Sequence, residues 1–566
     1  MVRPEHPNPQ FYREAWENLN GEWEFSFDFG ATGRERGLPT AQKLDKKILV
    51  PFCPESKLSG IEYKDFMNCV WYRREFSVPD TWRDGGRVLL HFGAVDYKTT
   101  VYLNGEEAGT HTGGYTPFQF DITGLLADGV NVVTVCAEDD NRSGLQPCGK
   151  QAHRYFSSGC DYTRTTGIWQ TVWLEHVPEN HIERFRLIPD VKNRRLLFEV
   201  YHTGKENLHV DVSYQGKAMG SAALSSGTGV IRGEVALAEE HLWELGNGRL
   251  YDVRLTFGED RVTSYFGLRE VKMDGYRFLL NGKSVFQRLV LDQGFYPDGI
   301  YTAPTEEALV KDIELSLAAG FNGARLHEKV FEPRFLYHCD KMGYLVWGEY
   351  PNWGLDHSRM EALPDYLRGW REAVNRDFNH PSIIGWCPFN ETWDYDNKRQ
   401  WNPLLSSVYD LTKDLDPTRP CIDTSGNYHV VTDIFDVHDY DQNPETFAKR
   451  FEKISEGLLE NHCNDRQQYR LGEPVFVSEY GGISRASDKE LGWGYGESPE
   501  DDEAFYKRYD GLTTALLENP YILGFCYTQL YDIEQEVNGL YTYDRQPKFD
   551  LERIQSINRK KAAIED

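Results

Sequence analysis

Ile383-Ile384-Gly385-Trp386-Cys387-Pro388-Phe389-Asn390-Glu391 is a short apolar run, β-branched and aromatic, that ends on a carboxylate. Strands covered on both faces, as in a parallel sheet, read as continuous hydrophobic runs rather than alternating ones. A second run of the same kind, Pro474-Val475-Phe476-Val477-Ser478-Glu479-Tyr480-Gly481-Gly482, also reaches a glutamate. Outward from these two, strand-like runs alternate with helix-like stretches from about residue 269 onward. The runs fall at 285–290, 323–326, 345–349, 383–389, 421–424, 434–438, 475–479 and 522–527. Amphipathic stretches lie between them at 305–319, 363–378, 402–415 and 501–518, the first with Thr305 as its N-cap. Eight strand–helix units over roughly 300 residues predict a (β/α)8 TIM barrel at 269–566.

The chain upstream has a different period. Residues 1–178 carry short runs such as Glu22-Trp23-Glu24-Phe25-Ser26-Phe27, Thr99-Thr100-Val101-Tyr102-Leu103 and Asn131-Val132-Val133-Thr134-Val135-Cys136. Asn104-Gly105 directly after a strand is a hairpin signal. Many short strands separated by Gly, Asn and Asp predict a β jelly roll. Residues 179–268, with runs such as Val210-Asp211-Val212-Ser213-Tyr214, predict an immunoglobulin-like β-sandwich.

A chain of 566 residues is too long for one core, in keeping with this multidomain reading. With 62 basic and 89 acidic side chains the net charge is −27, which argues against nucleic acid or an anionic membrane as partner. The start, Met1-Val2-Arg3-Pro4-Glu5-His6-Pro7, has no apolar segment of the signal type, and no run is long enough to span a bilayer. The ten cysteines show no metal spacing, and Cys136, Cys387 and Cys526 sit inside apolar runs, so a reducing, cytoplasmic setting is expected. Aromatic residues, 14% of the chain, can stack on sugar rings as well as fill β cores.

On the strand count, Glu391 follows the fourth barrel strand and Glu479 ends the seventh. These ends face each other across the mouth, where barrel chemistry collects. Two converging carboxylates are the minimum equipment for cleaving a glycosidic bond. A separation of about 5–5.5 Å serves retention and about 6.5–9.5 Å inversion. The spacing in sequence leaves both open.

The flanking residues carry a resemblance. Asn390-Glu391 and Ser478-Glu479-Tyr480-Gly481 resemble the acid/base and nucleophile signatures of glycoside hydrolase family 2, which includes β-galactosidases and β-glucuronidases. Val101-Tyr102-Leu103-Asn104-Gly105, Gly113-Gly114-Tyr115-Thr116-Pro117-Phe118 and Arg164-Thr165-Thr166-Gly167-Ile168-Trp169 resemble its sugar-binding-like jelly roll. Phe266-Gly267-Leu268-Arg269-Glu270 resembles its junction into the barrel. The resemblance spans almost the whole chain. It implies a retaining mechanism without cofactor or metal, Glu479 as nucleophile and Glu391 as acid/base. Asn390 would contact the 2-hydroxyl, and Arg325 is the candidate cation beside Glu479. Trp386, Phe389 and Trp393 are the apolar neighbours expected to raise the Glu391 pKa.

The pocket loops depart from the family. Its β-glucuronidases carry an Asn-x-Lys pair for the substrate carboxylate, just before a stretch that here reads Gly539-Leu540-Tyr541-Thr542-Tyr543-Asp544-Arg545. The preceding residues here are Glu536-Val537-Asn538, and a glutamate facing a uronate repels it. A neutral glycone is therefore expected, contacted by His438 and Tyr440 and by acids from Asp292, Glu349, Asp532 or Glu534. The expected activity is an exo-acting, β-galactosidase-like glycosidase on an oligosaccharide or glycoside. β-D-Galactofuranosidase and α-L-arabinofuranosidase are the rivals, and a sugar-binding protein with a dead site is the alternative class. A metal-dependent barrel hydrolase is disfavoured, because the 16 histidines are dispersed. Family analogy adds a homo-oligomer as a candidate assembly.

Overall fold

A computed structural model describes residues 2–565 except 84, 226, 228, 393–398, 460–466 and 486–491. The first β region is a jelly roll of two facing antiparallel sheets. One has the order Lys46–Val50, Gly21–Phe27, Cys69–Phe76, Asn131–Glu138, Lys98–Leu103, Glu106–Thr112. The other runs Trp16–Asn18, Val172–Val177, Arg87–Phe92, Phe118–Asp121. Phe25, Tyr72, Leu90, Val101, Val135 and Leu174 fill the space between them. Asn104 and Gly105 both take positive φ, 52° and 86°, as a two-residue hairpin turn requires.

The second β region is an immunoglobulin-like sandwich of a three-stranded and a four-stranded sheet. Its strands alternate cleanly. In Leu208–Tyr214 the side chains of Leu208, Val210 and Val212 are buried while His209 and Asp211 face solvent. Arg13 joins the two β regions, bonding Asp260 at 2.8 Å and Glu175 at 2.9 Å.

In the barrel, seven parallel strands form one sheet in the order Ile383–Cys387, Leu345–Glu349, Gly323–Leu326, Gln287–Asp292, Ile522–Thr528, Val475–Gly481, Phe435–Asp439. The remaining position is filled by a segment whose Cys421 bridges Trp386 and whose Thr424–Ser425 pairs with Phe389–Asn390. It meets the sixth strand position through Asp433 N–H to the Cys421 carbonyl at 3.0 Å and through the Asp436 carboxylate. The helices Glu306–Ala318, Leu363–Asp377, Asn402–Leu415 and Asp502–Leu517 lie where the amphipathic pattern puts them, and Thr305 accepts from the Ala308 N–H as N-cap. Three further helices, Pro333–Met342, Pro444–Phe451 and Leu551–Asn558, are 8–10 residues long. Two of them open on a proline at the first turn, which reads as a breaker in sequence but is tolerated there.

The small sheet Val271–Asp274, Arg277–Leu280, Lys283–Ser284 closes the N-terminal end of the barrel. Phe278 and Leu280 pack with Leu289, Trp347, Ile384, Phe476 and Leu523. Chemistry is thereby left to the C-terminal end. Among the described residues no helix is long and apolar enough to cross a membrane, and the described cysteines are free thiols.

Candidate active site

Five strand ends bring polar and charged side chains to the barrel mouth. Arg325 lies in Gly323–Leu326, Glu349 in Leu345–Glu349, Asn390 in Phe389–Asn390, His438 in Phe435–Asp439 and Glu479 in Val475–Gly481. A register irregularity after Val437 sets His438 opposite Glu479. Glu391 follows Asn390 with φ 47°, and its N–H donates to the Ser425 carbonyl at 2.8 Å. A left-handed conformation costs a non-glycine residue about 1–2 kcal/mol, and such strain collects at functional sites.

One oxygen each of Glu391 and Glu479, together with a ring nitrogen of His438, lie within 4.8 Å of one another. His438 Nδ1 is 2.8 Å from Glu391 Oε1 and 3.4 Å from Glu479 Oε2. Arg325 donates to Glu479 at 3.1 Å, to the Ser478 carbonyl at 2.7 Å, to Glu349 at 2.6 Å and to Asn390 Oδ1 at 3.1 Å. The Tyr440 hydroxyl donates to the second oxygen of Glu479 in a short contact. Tyr440 is held flat by Tyr495, with ring centroids 3.4 Å apart. Glu479 thus sits in a frame of donors that fixes both of its oxygens. Asn390 Nδ2 is buried and finds no partner among the described residues, and Arg325 fixes the other end of its amide. That donor is free for a ligand.

Behind the carboxylates runs a buried chain of polar groups. His438 Nε2 meets Ser425 Oγ at 2.9 Å, and Ser425 donates to Asp436 Oδ2 at 2.7 Å. Ser478 donates to the same oxygen. His429 lies between Asp423 at 2.7 Å and Asp436 at 3.1 Å. Burial alone would lower the His438 pKa, but Glu479 and Glu391 outweigh it and hold the imidazole above its ordinary range. His429 follows the same balance: burial opposes the charge, and Asp423 and Asp436 push its pKa up to about 10. Gly426 permits the arrangement, since a Cβ there would come within 2.2 Å of His438 Nδ1 and its φ is 71°.

The jelly roll docks on one side of the barrel mouth. Cys148 and Gly149 donate their N–H groups to the Trp353 carbonyl at 2.7 and 3.1 Å. Tyr162 donates to Glu536 and accepts from Gln293 Nε2 at 2.8 Å. Gln535 bonds the Gly159 and Asp161 carbonyls at 2.7 and 3.0 Å. Lys150 lies over the Trp353 ring at 3.4 Å. Desolvation opposes its charge, but the acidic groups Cys160, Glu391, Glu536 and Glu479 outweigh that and hold its pKa above the usual value. Burial pushes Glu536 up to about 7 and Glu328 up to about 8.

The sequence-derived candidates divide. Glu391, Glu479, Asn390, Arg325, His438 and Tyr440 converge on one another. Glu349 is buried behind them, bonded to Arg325, to His327 at 3.1 Å and to the Glu328 N–H at 3.2 Å. It orients Arg325 instead of facing a sugar. Asp292 is occupied by Tyr531 at 2.6 Å and the Gly294 N–H, and Asp532 by Lys548 at 2.7 Å and the Gly539 N–H. Both belong to the supporting frame. Glu534 accepts from the Thr163 N–H. Trp393 lies outside the described residues. Trp386 and Phe389 do not form the expected apolar shield of Glu391. The Trp386 indole donates to Asp416 and packs on Trp370, and Phe389 stacks on Tyr366, because both side chains point into the helix layer. The Glu391 carboxylate meets His438 instead. Sequence reading missed Lys150, Tyr162, His429 and Asp436. The one signal for the first two was the long irregular stretch after Asn131–Glu138, since long loops in compact domains are commonly functional.

Glu391, His438 and Glu479 are the one group among the described residues with the spacing to hold a metal ion. A histidine ligand must be neutral at the ligating nitrogen. Here the raised pKa of His438 favours a proton between the carboxylates.

Two facing glutamates at the mouth of a barrel, walled by a β-sandwich domain, define a glycoside hydrolase. "Glycosyl hydrolases family 2, sugar binding domain" matches residues 16–178, and "Glycosyl hydrolases family 2, TIM barrel domain" matches residues 271–561. The chain belongs to glycoside hydrolase family 2. It is 27% identical to a putative beta-glucuronidase of Formosa agariphila over 73% of its own length and 50% of that protein's. It is 26% identical to the beta-glucuronidase of Felis catus over 84% of its own length and 79% of that protein's. The fold matches that of Lactobacillus rhamnosus beta-glucuronidase with a TM-score of 0.82 at 20% identity, covering 98% of this chain and 99% of that one.

Proposed function

We propose that the protein is an exo-acting, retaining glycosidase that removes a terminal neutral sugar by double displacement. The observation that carries this reading is the approach of Glu391 and Glu479 to within 4.8 Å through their oxygens. So close an approach of one oxygen from each supports the short separation of retaining enzymes over the wider gap that inversion leaves for a water.

Glu479, ionised and held by Arg325 and Tyr440, attacks the anomeric carbon. Glu391 gives its proton to the departing glycosidic oxygen, leaving a glycosyl ester on Glu479. Glu391, now a carboxylate, takes a proton from water, and the hydroxide oxygen displaces Glu479 to release the sugar with its original configuration. The free Nδ2 of Asn390 suits the 2-hydroxyl. The docking of residues 148–163 on one side of the barrel mouth supports attack at a chain end.

The neutral glycone rests on Glu536, which stands where family β-glucuronidases keep uronate-binding residues. The beta-glucuronidase names of its relatives supply the second reading, a glucuronide. A panel of 4-nitrophenyl β-D-galactopyranoside, β-D-galactofuranoside, α-L-arabinofuranoside and β-D-glucuronide separates them. Preference for the glucuronide refutes the neutral glycone, and inactivity on every aryl glycoside with sugar binding retained refutes the enzyme.

A further inference from the structure

Lys150 is a buried ammonium on the wrong side of a domain boundary. It belongs to the jelly roll, is 6% exposed, and lies over the Trp353 indole in the barrel mouth. Among the described residues no hydrogen bond or ion pair uses its Nζ. A buried lysine normally closes onto a carboxylate, because an unpaired buried charge is costly. Here acidic groups surround it without closing. Glu391, Glu479 and Glu536 all act on its charge, and it acts in turn on Glu328 and Glu536. The Glu536 carboxylate is held back by Tyr162 and by Asn538 at 2.9 Å.

The backbone beside Lys150 is built to hold it in place. Gly149 has φ 61°, and a Cβ on it would come within 2.4 Å of the Glu328 carbonyl. Only glycine lets the segment press this closely on the barrel. Gly354 is likewise closed off by Cys148, whose Sγ a Cβ would meet at 2.9 Å. The ammonium is therefore carried on a docked loop whose position is set, over the Trp353 ring and within reach of the charges of both reactive carboxylates.

We propose that Lys150 is a substrate-contacting, specificity-determining residue, and that its ammonium donates to a hydroxyl of the glycone. This rests on the neutral-glycone glycosidase reading above, and makes the first domain a working part of the site.

The test uses the whole enzyme with Lys150→Met and Lys150→Arg, on the preferred 4-nitrophenyl glycoside and its monodeoxy analogues. A charge-assisted hydrogen bond to a substrate hydroxyl predicts a loss in kcat/KM of about 10- to 100-fold for Lys150→Met on the parent sugar. The loss should shrink toward nothing on the one deoxy analogue that lacks the contacted hydroxyl, and Lys150→Arg should keep much of the activity. Equal losses on the parent and every analogue, with a displaced pH profile, would mean that Lys150 acts only through its charge on the glutamates, and would overturn the contact. No loss on any substrate would overturn it too. A wild-type preference for the glucuronide, lost selectively in Lys150→Met, would refute the neutral glycone and overturn the hydroxyl contact, since the ammonium would then pair with the substrate carboxylate.

Discussion

His438→Asn isolates the charge between the two glutamates. The asparagine amide nitrogen is two bonds from Cβ, as Nδ1 is, so a donor remains while the cation is lost. In the wild type that cation lies 2.8 Å from Glu391 and 3.4 Å from Glu479. An opposite charge this close lowers a carboxyl pKa by about 1–3. Removing it should raise both limbs of the kcat/KM profile. The acidic limb, governed by ionisation of Glu479, should move less, because Arg325 and Tyr440 remain. The basic limb, governed by loss of the Glu391 proton, should move up by about one on the pH scale or more, since Glu391 then faces Glu479 without an intervening cation. On the basic flank, raising the limb by about one on that scale raises the rate about tenfold at fixed pH, and on the acidic flank the smaller move lowers it by less than that. The assay is kcat/KM against pH on one activated aryl glycoside, with the limbs read as macroscopic values of the coupled set. A profile superimposable on the wild type, or displaced to lower pH, would refute a protonated His438 between the carboxylates.

Other expectations follow from the same geometry. Glu391→Ala should spare 2,4-dinitrophenyl glycosides far more than alkyl glycosides. Added azide should restore turnover and yield a glycosyl azide of retained configuration; equal loss on both leaving-group classes contradicts the acid role. His429→Gln leaves Asp423 and Asp436 without their cation and should cost about 3–5 kcal/mol at pH 6, measured by denaturant unfolding. The folded-state pKa of His429, about 10, lies above its ordinary value, so its stabilising contribution is complete below about pH 6.5. That contribution should fade as pH rises through 10 in the wild type, while the variant shows a flatter dependence.

The barrel and its two glutamates were legible because each signal is local. A continuous apolar run marks a buried strand, and the residue after it must face the mouth, so Glu391, Glu479, His438 and Arg325 could be placed from their own neighbourhoods. Side chains whose meaning depends on another element were not. Asp292 and Asp532 carry the same strand-end signature, yet Tyr531 and Lys548 occupy them, and no local pattern tells a paired acid from a free one. His429 and Asp436 meet only because the segment after the fourth strand folds back on the sixth. Lys150 depends on a loop with no periodicity that docks across a domain boundary. Trp386 and Phe389 fail as a shield for a related reason. Apolar residues near Glu391 in sequence point into the helix layer, and the group that reaches its carboxylate comes from another strand.

The proposed mechanism turns on a covalent intermediate at Glu479 with Glu391 as its partner acid/base. The direct measurement is proton NMR of the anomeric signal in the first minutes of hydrolysis, joined to peptide mass mapping after inactivation by the matching 2-deoxy-2-fluoro glycosyl fluoride. The β-configured substrate should release the β-anomer first, and the label should sit on Glu479. Initial release of the α-anomer, or a label on any other residue, would contradict the double displacement.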